Sequence, residues 1–566
     1  MAAIAGWAVP TDIAGRLGRD ERGLLPMAEA LAHRVADAEP LLACLDARRH
    51  QQLVMGASLW DTRAGIAVAL DGTLANAAEL RELLRRRNFR IEQETGAELL
   101  MRAYQYWDKD VVRHLRGPFA FALWDSRKDR LMLARDRFGE RPLYVQERDG
   151  GLYFASEAKA LLKAPGARFE PDLDAMRECL AFRYVPGPRT LFRGIRKLAP
   201  GTYAMWQFGR LQATRYWTPP DRQPATAPAR KDAEAAFTAA LAESSALCEG
   251  DGVLLSGGID SAMIVAVLSA KGAAVRTFSL GFEDDRRSEL AGARAVAEHF
   301  GTRHEEIVLK SGELLADLNR LVAAQDAPLA TPSALAVHCL AAEAGRRARR
   351  LVSGDGCEEI IGGYRRHVAE RFHPGFCEAM EARRAKWVVS ILPQQKKSTE
   401  QKDMLADADP QASGLRRVLY RDQVRWLPDQ LLERNDRAAA IAGVELRMPF
   451  IDHALAELVS SLPDDQRVRG LATKWILRQA ARRLLPEPLA RRKAGFRLPV
   501  RDWLRNDLRD TLREHLQGAG SETRRYYDAA ALDRLLDEHL KGKNNHAQPL
   551  WTLLNLEIWH RQYSRA

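Results

Sequence analysis

The stretch 252-GVLLSGGIDSAMIVAVLSA-270 decides how the second half of this chain folds. The apolar run GVLL is typical of a buried strand, and the apolar spacing after it predicts a helix. Gly257 and Gly258 let the backbone turn tightly between the two elements. Ligands of open α/β sheets bind beyond the carboxyl ends of the strands, so this junction is the first candidate for a binding site.

The side chains of this junction suit an anionic ligand. Main-chain N–H groups and the positive end of the helix dipole form an anion cradle, to which Ser256 and Ser261 add hydroxyl donors. Asp260 would repel a phosphate unless a cation lies between them, and Mg²⁺ favours carboxylate and phosphate oxygens. The loop is not a Walker A motif, because no Gly-Lys-Ser/Thr follows at the required spacing. The alternative interpretation is a glycine-rich turn capped by serine.

Strands and helices alternate beyond this junction. VRTFSLGF (275–282), HEEIVL (304–309) and RRLVSGDG (349–356) are predicted strands, and SELAGARAVAEHFG (288–301) is a predicted helix. Such alternation predicts a parallel sheet with helices on both faces. From about residue 420 onward the pattern is mostly helical.

Residues 51–163 have a different, strand-rich pattern. The segment 219–232 is rich in proline, alanine and charge, and it is predicted to be a linker. We therefore predict a first domain over 1–218 and a second over 233–566. The predicted strands of the first domain are GIAVALDG (65–72), FAFALWD (119–125), RLMLARD (130–136) and GLYFAS (151–156), and its predicted helices are NAAELRELLRRR (76–87) and AELLMRAYQYW (97–107).

Composition excludes several classes of protein. The net charge of +11 arises from 86 basic and 75 acidic residues that are interspersed, which does not require a nucleic-acid partner. The six cysteines show no CxxC spacing, so neither a disulfide framework nor a zinc site follows. We see no signal peptide and no apolar run long enough to span a membrane, and we expect a cytoplasmic protein.

Several further motifs resemble the asparagine synthetase family over nearly the whole chain. SGGIDS is similar to the pyrophosphate-binding loop of ATP-pyrophosphatases. The resemblance implies an α/β protein with an N-terminal αββα sandwich of the Ntn-hydrolase type and a C-terminal parallel-sheet ATP-pyrophosphatase domain that ends in helices. Its other motifs are FAFALWD, LARDRFGERPLY and FASEAKALL within 119–162, SGDGCEEIIGGY (353–364), ELRMPFIDHAL (445–455), KWILRQA (474–480) and RRKAGFRLPVRDWL (491–504).

The resemblance also implies a reaction, in which a carboxylate is activated by ATP as an acyl-adenylate and attacked by an amine, with ATP and Mg²⁺ as cofactors. Asp260 and Glu358 are the implied metal ligands, although Glu358 stands where the family has aspartate and is alternatively an ordinary acid at a helix start. Lys493 matches the catalytic lysine and is alternatively a surface lysine. Asp355, at a position where related enzymes vary, is a further catalytic candidate. The implied ATP-binding residues are Leu254, Leu255, Ser256, Gly257, Gly258, Asp260, Ser261, Ser279 and Gly354.

The N-terminal domain departs from the family at the residues that hydrolyse glutamine. The family uses an N-terminal cysteine with its own α-amine as the base. This sequence begins Met1-Ala2-Ala3, and its first cysteine is Cys44. Asp71-Gly72-Thr73 stands where the family has Asn-Gly-Glu, and Gly96 stands where it has a glutamine-binding aspartate. We expect a structural domain without glutaminase activity.

Lasso peptide cyclases resemble this chain in combining a degenerate N-terminal domain with a complete synthetase domain. The resemblance implies closure of a macrolactam between a side-chain carboxylate and the N-terminal amine of a precursor peptide. A leader-peptide-binding protein and a leader protease are the implied partners, without nucleic acid, and the segment 366–420 is a candidate peptide groove. The alternatives are an ammonia-dependent asparagine synthetase or β-lactam synthetase acting on a small carboxylate, a tRNA-modifying ATP-pyrophosphatase, and an inactive ATP-binding regulator.

Overall fold

The chain forms two compact units, Met1–Pro171 with Gly187–Thr218 and Asp172–Pro186 with Pro219–Ala566. The structure is a computed structural model. Asp172–Pro186 is grouped with the second unit although it precedes the predicted linker, and the predicted boundary stays a prediction. The residues that the structure describes are 3–10, 24–34, 42–48, 51–222, 230–272, 274–283, 289–389, 408–486, 489 and 498–564.

The first unit contains two six-stranded antiparallel sheets. Its strands are β1 (Ala5–Pro10), β2 (Leu42–Arg48), β3 (Gln51–Ala57), β4 (Leu59–Asp61), β5 (Ile66–Gly72), β6 (Phe119–Asp125), β7 (Arg130–Arg135), β8 (Tyr144–Arg148), β9 (Gly151–Ala155), β10 (Arg196–Lys197), β11 (Thr202–Gln207) and β12 (Arg210–Arg215). One sheet has the order β10-β8-β9-β1-β3-β2, and the other has the order β12-β11-β7-β6-β5-β4. The helices are α1 (Leu25–Glu29), α2 (Ala77–Arg86), α3 (Gly96–Trp107), α4 (Val111–His114) and α5 (Ala158–Leu161).

Alternation of side chains along β5 and β6 builds two cores in the first unit. Ala67 and Ala122 face the other sheet, where they pack with Met55 and Phe154. Neighbouring residues on the opposite face, such as Val68, pack against α2 and α3. With α1 and α5 on the side of the first sheet, the layers follow the order α, β, β, α. The predicted αββα sandwich is confirmed.

The second unit is built on a five-stranded parallel sheet of order β15-β14-β13-β16-β17. These strands are β13 (Gly252–Leu254), β14 (Arg276–Phe282), β15 (Arg303–Leu309), β16 (Arg350–Val352) and β17 (Glu445–Arg447). The first four confirm the predicted strands of the α/β domain. β17 was not predicted: its sequence, ELR, has charged residues on both sides of one leucine and lacks the apolar run that marks β13.

Helices surround this sheet and form the rest of the second unit. They are α6 (Leu173–Phe182), α7 (Arg230–Leu247), α8 (Ile259–Ser269), α9 (Leu290–Phe300), α10 (Leu318–Gln325), α11 (Ser333–Ala344), α12 (Arg365–Phe372), α13 (Phe376–Val389), α14 (Gly414–Arg421), α15 (Glu433–Ile441), α16 (His453–Ser461), α17 (Asp464–Arg467), α18 (Trp475–Leu484), α19 (Val500–Arg505), α20 (Arg509–Gln517), α21 (Ala529–Leu540) and α22 (Ala547–Ser564). Two π-helical segments, Glu358–Gly362 and Asp422–Leu432, and three 3-10 segments, Ser311–Asp317, Pro449–Ile451 and Arg524–Tyr526, are also present. Within the described ranges, every helix is too short or too polar to cross a bilayer.

The buried carboxylate of Glu557 anchors the last helix, α22, to the loop before α21. It accepts hydrogen bonds from the main-chain N–H groups of Glu522 (2.9 Å) and Thr523 (2.8 Å), and from the Arg561 guanidinium (2.6 Å). Burial alone would raise the pKa of Glu557, but these bonds, with that of the Thr523 hydroxyl, hold the pKa below its usual range. The ionised form of Glu557 therefore stabilises the fold.

We predict that Glu557→Gln lowers the melting temperature at pH 7 by several degrees, since hydrogen bonds to a charged group contribute about 1.5–3 kcal/mol. Because the folded-state pKa is depressed, this stabilisation is present above the unfolded-state pKa and is lost as pH falls through the folded-state value. The difference from wild type should therefore shrink in acid. Glu514→Gln, at a side chain that is 72% exposed beside the same arginine, is the control. Equal melting temperatures at pH 7 would contradict the assignment.

Candidate functional site

The turn between β13 and α8 has the conformation that the glycines predicted. Gly257 has φ +71°, and a Cβ atom there would lie 2.7 Å from the main-chain nitrogen of Ala293. Any other residue would therefore strain the backbone and collide with α9. Gly258 is the N-cap of α8, and no side chain caps this end of the helix. The first N–H groups of the helix have no intrahelical partner, which leaves them suited to an anion.

The two serines of this turn stabilise its shape. The Ser261 hydroxyl donates to the carbonyl of Gly258 (3.2 Å) and accepts from the N–H group of Ser256 (3.1 Å). The Ser256 hydroxyl lies 3.3 Å from that of Ser261. The hydrogen bonds of both serines therefore stabilise the conformation of the loop, in addition to any contact with a ligand.

Lys474 joins the two predicted metal ligands. Its ammonium group donates to both carboxylate oxygens of Asp260, at 2.7 and 2.6 Å, and to Oε1 of Glu358 at 2.9 Å. We call these three side chains the acid–lysine cluster. Burial opposes the charge of Lys474, yet Asp260 and Glu358 outweigh that effect and raise the pKa of Lys474 well above its usual range. The cluster thus holds two carboxylates around one buried cation.

A second loop, between β16 and the π-helical segment Glu358–Gly362, lies against the first. Gly354 packs on Asp260, where a Cβ atom on the glycine would lie 3.2 Å from that of the aspartate. The Cys357 thiol lies 3.2 Å from Oδ1 of Asp260. At Gly363 a Cβ atom would lie 2.4 Å from Cε of Lys474, so only glycine lets the lysine reach the acids. Single π turns of this kind are frequent at functional sites.

Glu359 follows the acid–lysine cluster in the chain and is fully buried. Burial and the nearby charge of Glu358 raise the pKa of Glu359 to about 8, although a 2.6 Å hydrogen bond from the Tyr364 hydroxyl opposes the shift. At neutral pH this carboxyl group is mostly protonated. The positive charge of Lys474 therefore faces the two negative charges of Asp260 and Glu358, and the protonated Glu359 does not add a third.

Asp355 lies in the same loop and faces a different set of partners. Its Oδ2 accepts from the Ser353 hydroxyl (2.9 Å) and from the Asn435 amide (2.8 Å). Arg434 neighbours this carboxylate and is held by the Ser333 hydroxyl (2.8 Å) and the amide oxygen of Asn435. Burial lowers the pKa of Arg434, and Asp355 opposes that shift. Within the described residues no carboxylate lies at ion-pair distance from Arg434.

Leu254, Leu255 and Ser279, three of the implied ATP-binding residues, lie on or directly after β13 and within β14, where the family resemblance implies that adenine binds. Leu254 ends β13 and is half-buried. The N–H group of Leu255 donates to the carbonyl of Phe278 (2.8 Å), and its carbonyl accepts from the Ser279 hydroxyl. The main-chain groups of Leu255 and the Ser279 hydroxyl are thus already paired within the sheet. Their contact with adenine stays a prediction.

The donor set of the acid–lysine cluster fits Mg²⁺. Asp260 and Glu358 present oxygen atoms to one common point, which the Lys474 ammonium now contacts at 2.6 to 2.9 Å. Two carboxylates with phosphate oxygens are ligands that Mg²⁺ prefers. No group of three or more acidic, histidine or cysteine side chains suited to a metal occurs in the described part of the chain. Phosphate and water would have to complete the coordination.

Lys474 is the site residue that the sequence analysis missed. The predicted catalytic residue, Lys493, lies outside the described residues, and its role stays a prediction. Lys474 opens the motif KWILRQA, so its position was visible, but nothing in the sequence connected it to Asp260, 214 positions away. Its left-handed backbone (φ +54°) is uncommon for a lysine and is typical of functional positions.

The first unit has an arginine beside the residues that stand in place of the family's glutamine ligands. Asp71 is fully buried, and its Oδ2 lies 3.4 Å from the Arg34 guanidinium and accepts from the Ser156 hydroxyl at 2.8 Å. Arg34 also pairs with the buried Glu157 at 2.9 Å. Gly96 begins α3 against Leu70 and offers no carboxylate. The groups that stand in place of the glutamine ligands are therefore engaged within the protein.

Comparison with known proteins agrees with this geometry. Residues 239–561 match the family described as Asparagine synthase, and residues 1–217 match the family described as Glutamine amidotransferase domain. The chain is 31% identical over 610 residues to a putative glutamine-hydrolyzing asparagine synthetase of Mycobacterium tuberculosis, across 96% of this chain and 91% of the relative. It is 28% identical over 540 residues to glutamine-hydrolyzing asparagine synthetase 1 of Bacillus subtilis, across 87% and 85%.

These matches span both units, and the predicted resemblance is confirmed at the level of the family. Members of this family use ATP to activate a carboxylate and form an amide. The chain belongs to the asparagine synthase family and is an ATP-dependent, AMP-forming carbon–nitrogen ligase with an amidotransferase-type N-terminal domain.

Proposed function

We propose that this ligase closes a macrolactam ring in a peptide, joining a side-chain carboxylate to the peptide's own N-terminal amine. The observation that carries the proposal is a contrast between the two units. The acid–lysine cluster of the synthetase unit is complete, whereas Arg34 pairs with Asp71 in the first unit, where related enzymes bind glutamine. Without ammonia from glutamine, the amine has to come from another source, and the N-terminus of a peptide substrate can supply it. When the amine and the acid belong to the same peptide, the effective concentration of the amine at the activated acid is also higher than for a separate molecule.

In the first step a carboxylate oxygen of the substrate attacks the α-phosphorus of ATP, the bond from that phosphorus to the pyrophosphate oxygen breaks, and an acyl-adenylate forms. The loop from Ser256 to Ser261 binds the departing pyrophosphate through its N–H groups and the N-terminus of α8. Asp260 and Glu358 would hold Mg²⁺, which neutralises negative charge on the phosphates when it is bound. Lys474, already charged and positioned by both acids, donates to phosphate oxygens as the bond to pyrophosphate breaks.

The second step forms the amide. The amine nitrogen attacks the acyl carbon, the bond from that carbon to the AMP oxygen breaks, and one proton leaves the nitrogen. Asp355 is the acceptor that we assign to this proton, since the Ser353 hydroxyl and the Asn435 amide fix Oδ2 of its carboxylate in the loop that leads to Glu358. AMP leaves with the electrons of the broken bond.

A second candidate is ligation of free ammonia to a small amino acid. The names of the relatives indicate asparagine as the product, with glutamine as their source of nitrogen. Arg434 favours it, since an arginine beside Asp355 without a carboxylate at ion-pair distance suits the α-carboxylate of such a substrate. The two candidates share the adenylation step and differ in the source of the amine.

The test is a comparison of substrates by mass spectrometry. The purified chain, with ATP and Mg²⁺, receives linear peptides with glycine first and one acid about eight positions later, a spacing that favours intramolecular attack. We expect a product that is lighter by one water, with AMP and pyrophosphate in equal amounts and no gain from glutamine. Aspartate with ammonium or glutamine serves as the comparison. Asparagine as the only product would contradict ring closure, and glutamate release coupled to product would contradict the loss of glutaminase.

Replacement of Asp260 tests the metal assignment. We predict that Asp260→Asn lowers ATP–pyrophosphate exchange about 100-fold and raises the Mg²⁺ concentration needed for half-maximal exchange, because one anionic ligand is lost. Asp251→Asn is the matched control, since Asp251 precedes the same strand and pairs with Arg350 at a largely exposed position. An unchanged Mg²⁺ requirement in Asp260→Asn would remove Asp260 from the metal site.

Lys474 is tested by two substitutions. Lys474→Met should cut product formation by about 100-fold or more, and should also lower the melting temperature because it leaves two buried carboxylates without a cation. Lys474→Arg keeps the charge but not the compact ammonium, and should retain the fold while losing about tenfold or more in kcat. The exposed Lys271→Met is the control. Wild-type kcat in a folded Lys474→Arg enzyme would limit Lys474 to a structural role.

A further inference from the structure

A second group of charged and aromatic side chains lies in the synthetase unit, next to the acid–lysine cluster but separate from it. We call it the arginine–aromatic cluster, and it consists of Arg183, Tyr184, Arg366, Arg384 and Trp426. Its members come from the end of α6, from α12, from α13 and from the π-helical segment Asp422–Leu432. All of them are partly exposed. The cluster therefore forms a surface rather than a piece of core.

Contacts between aromatic rings and the Arg366 guanidinium run from this surface toward the reaction site. The guanidinium of Arg366 lies 4.0 Å from the ring centre of Tyr364 and 5.3 Å from that of Trp426. Tyr184 meets Trp426 edge to face at 5.6 Å. Tyr364 in turn donates to Glu359, the residue after the metal ligand Glu358. A series of contacts through Arg366 and Tyr364 therefore leads from the cluster to Glu359, the residue next to Glu358 in the chain.

The charges of the cluster are not balanced. Arg366 pairs with Asp422 at 2.7 Å. Glu381, one turn before Arg384 on α13, pairs with Arg421 at 3.4 Å instead. Among the described residues, neither Arg183 nor Arg384 has a carboxylate within ion-pair distance. The charge of Arg384 also acts on Glu381 and opposes the rise in the pKa of Glu381 that burial causes. Two arginines of one surface that have no ion-pair partner in the described structure favour an anionic ligand, because guanidinium groups bind carboxylates in a bidentate manner.

Burial accentuates this imbalance at Arg183. Burial lowers the pKa of Arg183 to about 10, and the like charges of Arg384 and Arg366 contribute to the shift. The indole nitrogen of Trp426 is a buried donor without a hydrogen-bond partner in the described structure. Unsatisfied buried donors are uncommon in folded proteins. The surface therefore offers both positive charge and a donor to an incoming group.

Apolar side chains extend the surface along α13. Phe376 and Met380 precede Arg384 at intervals of four residues, which places the three on one helix face. Both are about 40% exposed, and Phe372 at the end of α12 is 52% exposed. An apolar stripe that ends at two arginines suits a peptide with apolar residues and a carboxylate. A small amino acid in the adenylation site would not reach this stripe.

We propose that Arg183 and Arg384 bind a second carboxylate of the peptide substrate, distinct from the one that is adenylated, while the stripe of Phe376 and Met380 holds apolar residues of the same peptide. This inference rests on the proposed macrolactam synthesis and names the part of the enzyme that selects a peptide. The second carboxylate is either an acidic side chain in the tail or the C-terminus, and the experiment distinguishes these sources.

The experiment uses the full chain and four synthetic peptides. Each has glycine first and one acid for adenylation, and the four combine a glutamate or glutamine in the tail with a free or amidated C-terminus. A neutral dye on a tail side chain reports binding by fluorescence anisotropy, and AMP release reports turnover. Arg183→Gln with Arg384→Gln is the test variant. Arg383→Gln, the exposed neighbour on α13, is the control.

We expect the double variant to bind the peptide with the critical carboxylate about tenfold to a hundredfold more weakly, as for the loss of charge-assisted hydrogen bonds. KM for the peptide should rise in parallel, with kcat and KM for ATP unchanged. The affinity of the wild-type enzyme should fall by the same factor for the peptide that lacks that carboxylate. Arg183→Lys with Arg384→Lys should recover part of the loss, which a merely structural role would not explain.

Equal affinity of wild type and double variant for all four peptides would overturn the proposal, even if the wild type closes the ring. Peptide binding that depends on the carboxylate and on both arginines, in an enzyme that forms no ring, would support this site and contradict the proposed function instead. Displacement of the peptide by transfer RNA at lower concentration than by a competing peptide would assign the arginines to a nucleic acid and overturn the proposal.

Discussion

The acid–lysine cluster is a balance of charge that the synthetase unit has to maintain in its interior. Asp260 comes from the first turn of α8, Glu358 from the π-helical segment after β16, and Lys474 from the start of α18. Removing one partner of a buried ion pair costs about 3–5 kcal/mol, so none of the three segments can leave without a penalty. The same contacts set the loops at the carboxyl ends of β13 and β16 against each other, where an α/β sheet of this kind binds its ligand.

The need to balance charge in the acid–lysine cluster also explains two residues beside it. Gly363 leaves room for the Lys474 side chain, and the protonated carboxyl group of Glu359 adds no further charge. A phosphate-bound cation would compete with the lysine for the two acids and release its ammonium toward the phosphates. The cluster is thus suited to exchange one cation for another as substrate binds. In the first unit, by contrast, Arg34 pairs with Asp71 inside the fold. The loss of glutaminase chemistry in this unit stays a prediction.

Whether the sequence predicted a feature depends on how far apart in the chain the interacting residues lie. Strand and helix positions such as β13 and α8 were predictable because their apolar periodicity is local. The loop from Ser256 to Ser261 and the acids Asp260 and Glu358 were predictable from motifs of a few residues. Lys474 was missed because its role depends on a contact across 214 positions, which no local pattern records. The arginine–aromatic cluster was missed for the same reason, although the segment 366–420 was expected to contribute to a peptide groove. The assignment of Asp172–Pro186 to the synthetase unit likewise depends on packing.

Binding of ATP with its phosphates at the acid–lysine cluster underlies every step proposed for this enzyme. A crystal structure with Mg²⁺ and a non-hydrolysable ATP analogue would test it. We expect a metal ion between the carboxylates of Asp260 and Glu358, bound to phosphate oxygens, with the Lys474 ammonium donating to the phosphates. A triphosphate bound elsewhere, with Lys474 still closed between the two acids, would contradict it.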